Sequence, residues 1–450
     1  MEQKKKIDMT TGPIMKNVFL FAIPIVLGNV LQNLYTTVDT LVIGNYCGKT
    51  SLAAVGTSAQ PVEVLLCIFL GIGTGVSILI SQYVGAKNPE KVQQAVDTAT
   101  FFVFVCGIPL CIIGYFAAPL ILRFMGVPAD TWNAAVSYTR IVFFGALGNI
   151  GYNMNAGILR GMGDSKASLW FLVVSCVANI VLDFLFVAGF GMDAGGAALS
   201  TTLAMYLSWI ISIVYIRTKF PELGLSYFPK GVDLKQLKQI VKIGLPIGLN
   251  NSLYSLGHMA LQTLVNAQGS TFMAGNSVAG RVTSLANIAI SALSSAATTF
   301  SGQNFGAGNF DRLRQGYIKI PVISGMITLA AGLLVIALRM PILRIFTKDE
   351  AVLLFAGRYV VILLLSHWCF AIFNGIICMV NGVGLIRYTT VVNILMLWAV
   401  RIPSAYLIDR YFDGTYIMLC FPISFSFGMF MMLGYYMFSK KWKEIIRTGL

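Results

Sequence analysis

Charge is scarce in this chain. Of 450 residues only 11% are Asp, Glu, Lys or Arg, whereas soluble domains carry about 25%. With 57% hydrophobic residues and a mean hydropathy of +0.77, the chain would expose large apolar patches in water. The residues of metal and nucleophile chemistry are few as well. There are two histidines, and the eight cysteines show no CxxC spacing, so neither zinc nor a dithiol redox site is expected. No HExxH, P-loop or nucleophile elbow is present, which excludes ATP-driven pumping within this chain. Gly71-Ile72-Gly73-Thr74-Gly75 lies inside an apolar run with no strand before it, and is not a nucleotide loop. Period-two alternation is missing too, which argues against a membrane barrel.

What is present is a series of long apolar runs, such as Val18–Ile43, Val62–Ile80 and Phe421–Phe438. A helix needs roughly 20 residues to cross the hydrocarbon layer, and its backbone must be satisfied internally. Twelve spans are expected, near 14–40, 52–81, 95–120, 130–156, 167–188, 194–218, 239–265, 271–301, 315–338, 351–380, 388–409 and 415–438. An even number puts both termini on one side. That side collects 22 of the 32 basic residues, among them Lys4, Lys87, Arg160, Lys235, Arg312 and Lys440. The positive-inside rule makes it the cytoplasm, with the chain as a multi-pass protein of the cell membrane. The net charge of +14 therefore records topology, and no nucleic-acid partner is expected. MEQKKK followed by an apolar stretch imitates a signal peptide, but the span is too long and lacks a small-residue cleavage site, so it reads as a retained helix.

The spans come in two matching sets. Lys16…Ile23-Pro24 recurs as Lys238…Leu245-Pro246 at an offset of 222. Gln82-Tyr83-Val84-Gly85-Ala86 recurs as Gln303-Asn304-Phe305-Gly306-Ala307, and Gly161-Met162-Gly163 as Gly382-Val383-Gly384, both at 221. With six spans per half, the halves enter the membrane in the same orientation. The expected fold is all-α and integral to the membrane: twelve transmembrane helices in two six-helix bundles related by a pseudo-two-fold axis along the membrane normal. The expected division is an N-terminal lobe over 1–216, a cytoplasmic connector over 217–238 and a C-terminal lobe over 239–450. Because the duplication supplies both lobes, a monomer suffices. Pro24 sits in the first span, where a proline permits a bend, and is the candidate hinge.

Ile23-Pro24-Ile25…Leu31-Gln32-Asn33-Leu34-Tyr35…Val38-Asp39-Thr40 resembles the first helix of the multidrug and toxic compound extrusion (MATE) transporters. The Gln82…Gly85-Ala86 and Arg160-Gly161-Met162-Gly163-Asp164 junctions resemble that family's turns, and the likeness spans both halves. It implies a two-lobe antiporter that expels cationic or amphipathic organic compounds in exchange for protons or sodium ions, with no bound cofactor. Within the family the chain is most similar to the DinF-like branch, whose essential acid lies in the first helix with further cation ligands in the fifth and sixth. Those roles fall here on Asp39, Asn179, Asp183 and Thr201. The NorM-like branch also uses acids in the second bundle, but those positions are Tyr254 and about Phe370 here, so a second-lobe carboxylate pair is not expected.

The acids, read by themselves, point the same way. An ionisable group inside a span costs about 2.5–3.5 kcal/mol on insertion scales and is a functional candidate by default. Only Asp39, Glu63 and Asp183 qualify, all in the first half, and the repeat partner of Asp39 is Leu261. Tyr35 and Asp39 are four apart, as are Asn179 and Asp183, so each pair shares a helix face. At 1.5 Å per residue Asp183 stands roughly 25 Å above Lys166, and Thr201 about 9 Å below Gly195-Gly196. The four ligands can therefore meet in the outer half of the first bundle. Carboxylate, amide and hydroxyl oxygens suit a hard cation such as sodium, and burial lets a proton take its place. The bland alternative is a polar cluster that joins helices. Glu63, Tyr35 and Arg281 are candidates for substrate contact or proton relay; His258 and His367 read as polar helix contacts, and Arg281 and Arg401 as counter-ions or pocket-lining groups.

Two rivals remain at this point. Gly161-Met162-Gly163-Asp164 fits the GxGD string of intramembrane aspartyl proteases, but a second nearby acid is missing and the repeat has Leu385 at the same place. A flippase for a lipid-linked or polysaccharide precursor would need several basic residues on one groove, and Arg140, Arg281 and Arg401 are sparse for that.

Overall fold

The computed structural model describes residues 7–129, 131–225, 231–412 and 414–448. Twelve long helices carry the fold. In the first half they are α1 (Ile14–Tyr46), α2 (Gly48–Gly85), α3 (Pro89–Phe124), α4 (Trp132–Gly161), α5 (Ser165–Gly189) and α6 (Ala194–Lys219). In the second half they are α7 (Leu234–Ala267), α8 (Ser270–Gly306), α9 (Phe310–Ala337), α11 (Glu350–Gly382), α12 (Ile386–Tyr411) and α13 (Cys420–Phe438). Two short helices, α10 (Arg339–Phe346) and α14 (Lys440–Thr448), were not expected from the apolar runs. Most long helices overrun the expected spans by a turn or so, because polar residues at their ends continue the helix past the apolar stretch.

Among the described residues nine helices are long and apolar enough to cross a membrane. The exceptions are α4, α7 and α8, which are rich in Gly, Asn and Ser. A helix surrounded by other helices need not be greasy, and small residues let the backbones close. In the first half α4 packs against α2, α3, α5 and α6; in the second α11 packs against α8, α9, α12 and α13. A Cβ on Gly161 of α4 would stand 2.7 Å from Ser77 O of α2, and one on Gly382 of α11 would stand 2.7 Å from Thr298 O of α8. Both pairs keep the offset of 221, so this close helix contact is itself repeated.

The turns repeat as well. After α2, Lys87 N bonds to Val84 O (3.1 Å) and Asn88 N to Tyr83 O (3.1 Å); after α8, Gly308 N bonds to Phe305 O (3.1 Å) and Asn309 N to Asn304 O (2.9 Å). This is the left-handed helix stop that glycine favours. The same pattern closes α4 at Gly163 and α11 at Gly384, each at φ +89°. Asp164, the acid of the GxGD string, then caps α5 by accepting from Ala167 N (3.1 Å) and from the Tyr215 hydroxyl (2.9 Å).

The chain divides into two compact units. One is Met1–Ile7 with Ile23–Asn251, the other Asp8–Ala22 with Ser252–Leu450. The opening turns of α1 thus belong with the second unit, and the change falls one residue before Pro24. In that unit Arg312 gathers the carbonyls of Met9 (2.9 Å), Thr11 (2.9 Å) and Gly12 (2.7 Å), while Met9 N donates to Gln303 Oε1 (3.1 Å). In the first unit the opening half of α7 lies on α2: a Cβ on Gly71 would meet Gly248 N at 2.1 Å. The Gly71–Gly75 string is a helix–helix contact.

Candidate functional site

In the first unit α1 leans on α5 because Gly28 leaves room beside Leu172, and the Cys176 thiol reaches Leu31 O at 3.9 Å. That contact brings the Tyr35–Asp39 face of α1 onto the Asn179–Asp183 face of α5. Asn179 Nδ2 donates to Thr201 Oγ1 (3.2 Å), which ties α5 to α6 and leaves the amide oxygen turned inward. The carboxyls of Asp39 and Asp183 come within hydrogen-bonding reach of one another. Ser200, whose hydroxyl donates to Gly196 O (3.0 Å), lies beside Asp183. Tyr138 of α4 lies within electrostatic reach of Tyr35 and both acids.

Tyr35 is 8% exposed, Asn179 2% and Asp183 not at all. Asp39 Oδ1, Asn179 Oδ1 and both oxygens of Asp183 are buried and make no hydrogen bond, although the Ser200 hydroxyl stands beside Asp183. Buried acceptors are ordinarily paired, and two carboxylates side by side repel unless something positive lies between them. The chemistry this arrangement offers is therefore reception of a proton or a small hard cation by oxygen ligands. Among the described residues no group of three or more His, Cys, Asp or Glu is gathered closely enough to hold a metal ion. Asp183 is also the last residue before a π-helical stretch, Phe184–Gly189; such bulges occur frequently at functional sites. Alongside, Gln32, Asn33, Thr36, Thr37 and Thr40 form an exposed polar stripe on α1. Near the end of α1, Cys47 lies beside Asp193, and burial first, then that carboxylate, push its thiol up to about 11.

Tyr35, Asp39, Asn179, Asp183 and Thr201 thus come together. Glu63 is exposed midway along α2 and joins none of them. Arg281 belongs to α8 in the other unit, exposed, with its carbonyl accepting from the Ser284 hydroxyl (2.8 Å). Pro24 lies inside an unbroken α1. Tyr138 and Ser200 were not singled out for the cluster; only their neighbourhood to span aromatics and to Thr201 hinted at them.

The second unit is built otherwise. Leu261 is packed with Leu264, Ala405, Ile417 and Cys420 in a purely apolar cluster. Nearby chemistry centres on Arg401, fully buried at the end of a second π-helical stretch, Leu395–Arg401. Its Nε donates to Ser424 Oγ (3.0 Å) and its Nη1 to the Tyr254 hydroxyl (3.1 Å). Phe370 stacks near Phe425, with ring centres 4.6 Å apart, and Phe425 faces Arg401. Tyr254 and Phe370, the positions where a second-lobe acid pair would stand, therefore belong to the surroundings of a cation.

The sequence profile of the MatE family matches this chain twice, over residues 24–185 and 246–407. "Probable multidrug resistance protein YoeA" of Bacillus subtilis is 31% identical over 449 residues, covering 96% of each chain. DNA damage-inducible protein F of Escherichia coli is 24% identical over 364 residues, covering 79% of this chain and 78% of its own. Among solved structures, an outward-facing conformation of a multidrug resistance MATE family transporter of the MOP superfamily superimposes with a TM-score of 0.89. It is 23% identical and covers 99% of this chain and 100% of its own, which supports the twelve-helix fold. The two matched stretches are offset by 222, the spacing of the internal repeat. A family of membrane transporters leaves no place for the protease reading of Gly161–Asp164, and with 72 residues in a hundred under its profile, this chain is a multi-pass membrane protein that belongs to the MatE family of multidrug transporters.

Proposed function

We propose that the protein is a cation-coupled antiporter of the cell membrane, with both termini in the cytoplasm, acting as a monomer on amphipathic or cationic organic compounds. A proton or a sodium ion drives it, bound among Asp39, Asn179, Asp183 and Thr201. The observation that carries this reading is the set of four buried acceptor oxygens on Asp39, Asn179 and Asp183 that make no hydrogen bond. A cation there joins α1 to α5 and α6; its loss leaves two acids in repulsion and α1 free to part from α5. Pro24 is the place for that change, since its missing hydrogen bond weakens the helix where α1 passes from one compact unit to the other. The names of the relatives supply the substrate class, and the exposed polar stripe on α1 supplies a surface for it.

Reconstituted in liposomes, the full chain is expected to move an organic dye against a pH gradient or a sodium gradient imposed separately. Asp39→Asn keeps the shape and removes the charge, and is expected to lower gradient-driven transport at least about a hundredfold, the size of effect a positioned acid–base group gives. Unimpaired exchange by Asp39→Asn, or dye flux that ignores both gradients, defeats the proposal.

A further inference from the structure

Among the described residues, the interior of the second unit holds a charged side chain with no carboxylate paired to it. Arg401 lies midway along α12 with no exposed surface, and while Nε and Nη1 have acceptors, Nη2 has none. The rings of Tyr254, Phe421 and Phe425 surround the guanidinium at 5.4, 4.8 and 5.0 Å. Ring faces attract the charge, yet a guanidinium carries its N–H donors in its own plane, and those on Nη2 still lack an oxygen or a halide. Four described acids of this unit serve elsewhere. Asp311 pairs with Arg314, Glu350 with Arg344, Asp349 caps α11 and Asp409 accepts from Gln268. The two histidines of the chain, His258 and His367, both lie within electrostatic reach of Arg401, but an imidazole brings no negative charge.

The repeat sharpens this. Late in the fifth and twelfth helices the profile matches end at 185 and 407, an offset of 222; by that register Arg401 stands where Asn179 stands in the first unit. One place in a duplicated scaffold thus presents an oxygen acceptor in one copy and an unsatisfied N–H donor in the other. The rim above it is reachable, for His258 is exposed and Tyr254 and Phe421 are half-buried.

We propose that Arg401 forms an anion site in the second unit, where Nη2 receives a monoanion: the carboxylate of an organic compound or a halide ion. Ser424 and Tyr254 fix the plane of the guanidinium so that Nη2 points its donors at the ligand, and the three rings keep water away. A single fixed cation suits one negative charge, and the planar fork suits a carboxylate. This goes beyond the cation cluster and does not depend on it.

The test is anion-dependent thermal stabilisation of the purified full chain in detergent. Sodium benzoate and sodium chloride are titrated separately, with ionic strength held constant by methanesulfonate. The wild type is expected to show a saturable rise in Tm with at least one of them, since a ligand that binds only the folded state stabilises it. Benzoate acting at lower concentration identifies a carboxylate site, and chloride acting alone an inorganic anion site. Arg401→Met is expected to abolish the rise, Arg401→Lys to move half-saturation at least tenfold higher, and Asp39→Asn to keep the rise intact. Should Arg401→Met yield no folded protein, Arg401→Lys decides, and unchanged half-saturation sinks the idea. A wild type that responds to neither anion, or an Arg401→Met that responds like wild type, overturns it. Loss of coupling in Asp39→Asn bears on the cation cluster alone.

Discussion

The two units are alike where backbones touch and unlike where charges are buried. Gly161 and Gly382 make the same close approach, and Gly163 and Gly384 the same left-handed stop. Yet one unit encloses Asp39 and Asp183, and the other encloses Arg401, with Leu261 in place of the first acid. The difference teaches what a duplicated membrane bundle is free to vary. A helix contact at backbone distance tolerates no larger side chain in either copy. A buried polar site is instead held by ligand chemistry, and each copy can keep a different one.

The largest expected effect is on the shared part. Gly161→Leu and Gly382→Leu each drive carbon into a carbonyl oxygen of the neighbouring helix, with helix backbone rather than a flexible side chain in the way. Each is expected to cost more than about 3 kcal/mol, the upper end for overpacking, and to leave little monodisperse protein on size exclusion. If one variant folds normally and the other does not, the equivalence of the two contacts is broken.

The divergent part is tested by exchanging its residues. Leu261→Asp puts an acid among the apolar side chains of Leu264, Ala405, Ile417 and Cys420. It is expected to destabilise by about 3 kcal/mol, as insertion scales give for a charge at depth, and to confer no cation dependence. Asp39→Leu removes one of two facing carboxyls and is expected to leave Tm unchanged or raised, the pattern of a site kept for function at a cost to stability. Thermal unfolding of both variants in one detergent checks the contrast; equal losses would make Asp39 an ordinary structural residue.

Most of the fold was legible because hydrocarbon allows so few solutions. Long apolar runs can only be helices, and three anchors at one spacing disclosed the repeat. α4, α7 and α8 are too polar for a simple hydropathy criterion, yet their apolar segments near 130–156, 239–265 and 271–301 are long enough to read as spans. The candidate cluster was legible through the cost of an acid in a span and through four-residue spacing on α1 and α5. Tyr138 was harder to assign, because an aromatic in a span is usually just packing. Arg401 was read as a pocket-lining group; its isolation became evident only with the positions of Ser424, Tyr254 and the three rings, which come from distant stretches of sequence. The short amphipathic α14 was missed because its basic residues resemble a solvated tail, while Trp442 in fact stacks on Tyr436 at 5.0 Å.

The smallest expected effect lies at the turn where the copies differ by one side chain. Lys87 at φ +52° is the sole non-glycine with positive φ among the described residues, and its repeat partner is Gly308 at φ +71°. The left-handed conformation costs an L-residue roughly 1–2 kcal/mol, while glycine gives back about 0.4–1 kcal/mol through the freedom of the unfolded chain. Lys87→Gly is therefore expected to stabilise by roughly 0.5–1 kcal/mol and Gly308→Ala to destabilise by a similar amount. Opposite shifts in Tm are the check. Lysine at this position adds a positive charge to the side proposed as cytoplasmic, and such charges set topology. Lys87→Gly should then gain stability and lose fidelity of insertion, measured by the share of molecules with Lys87's loop accessible from the outside. A variant that loses stability instead would show that the side chain, and not the backbone, governs this turn.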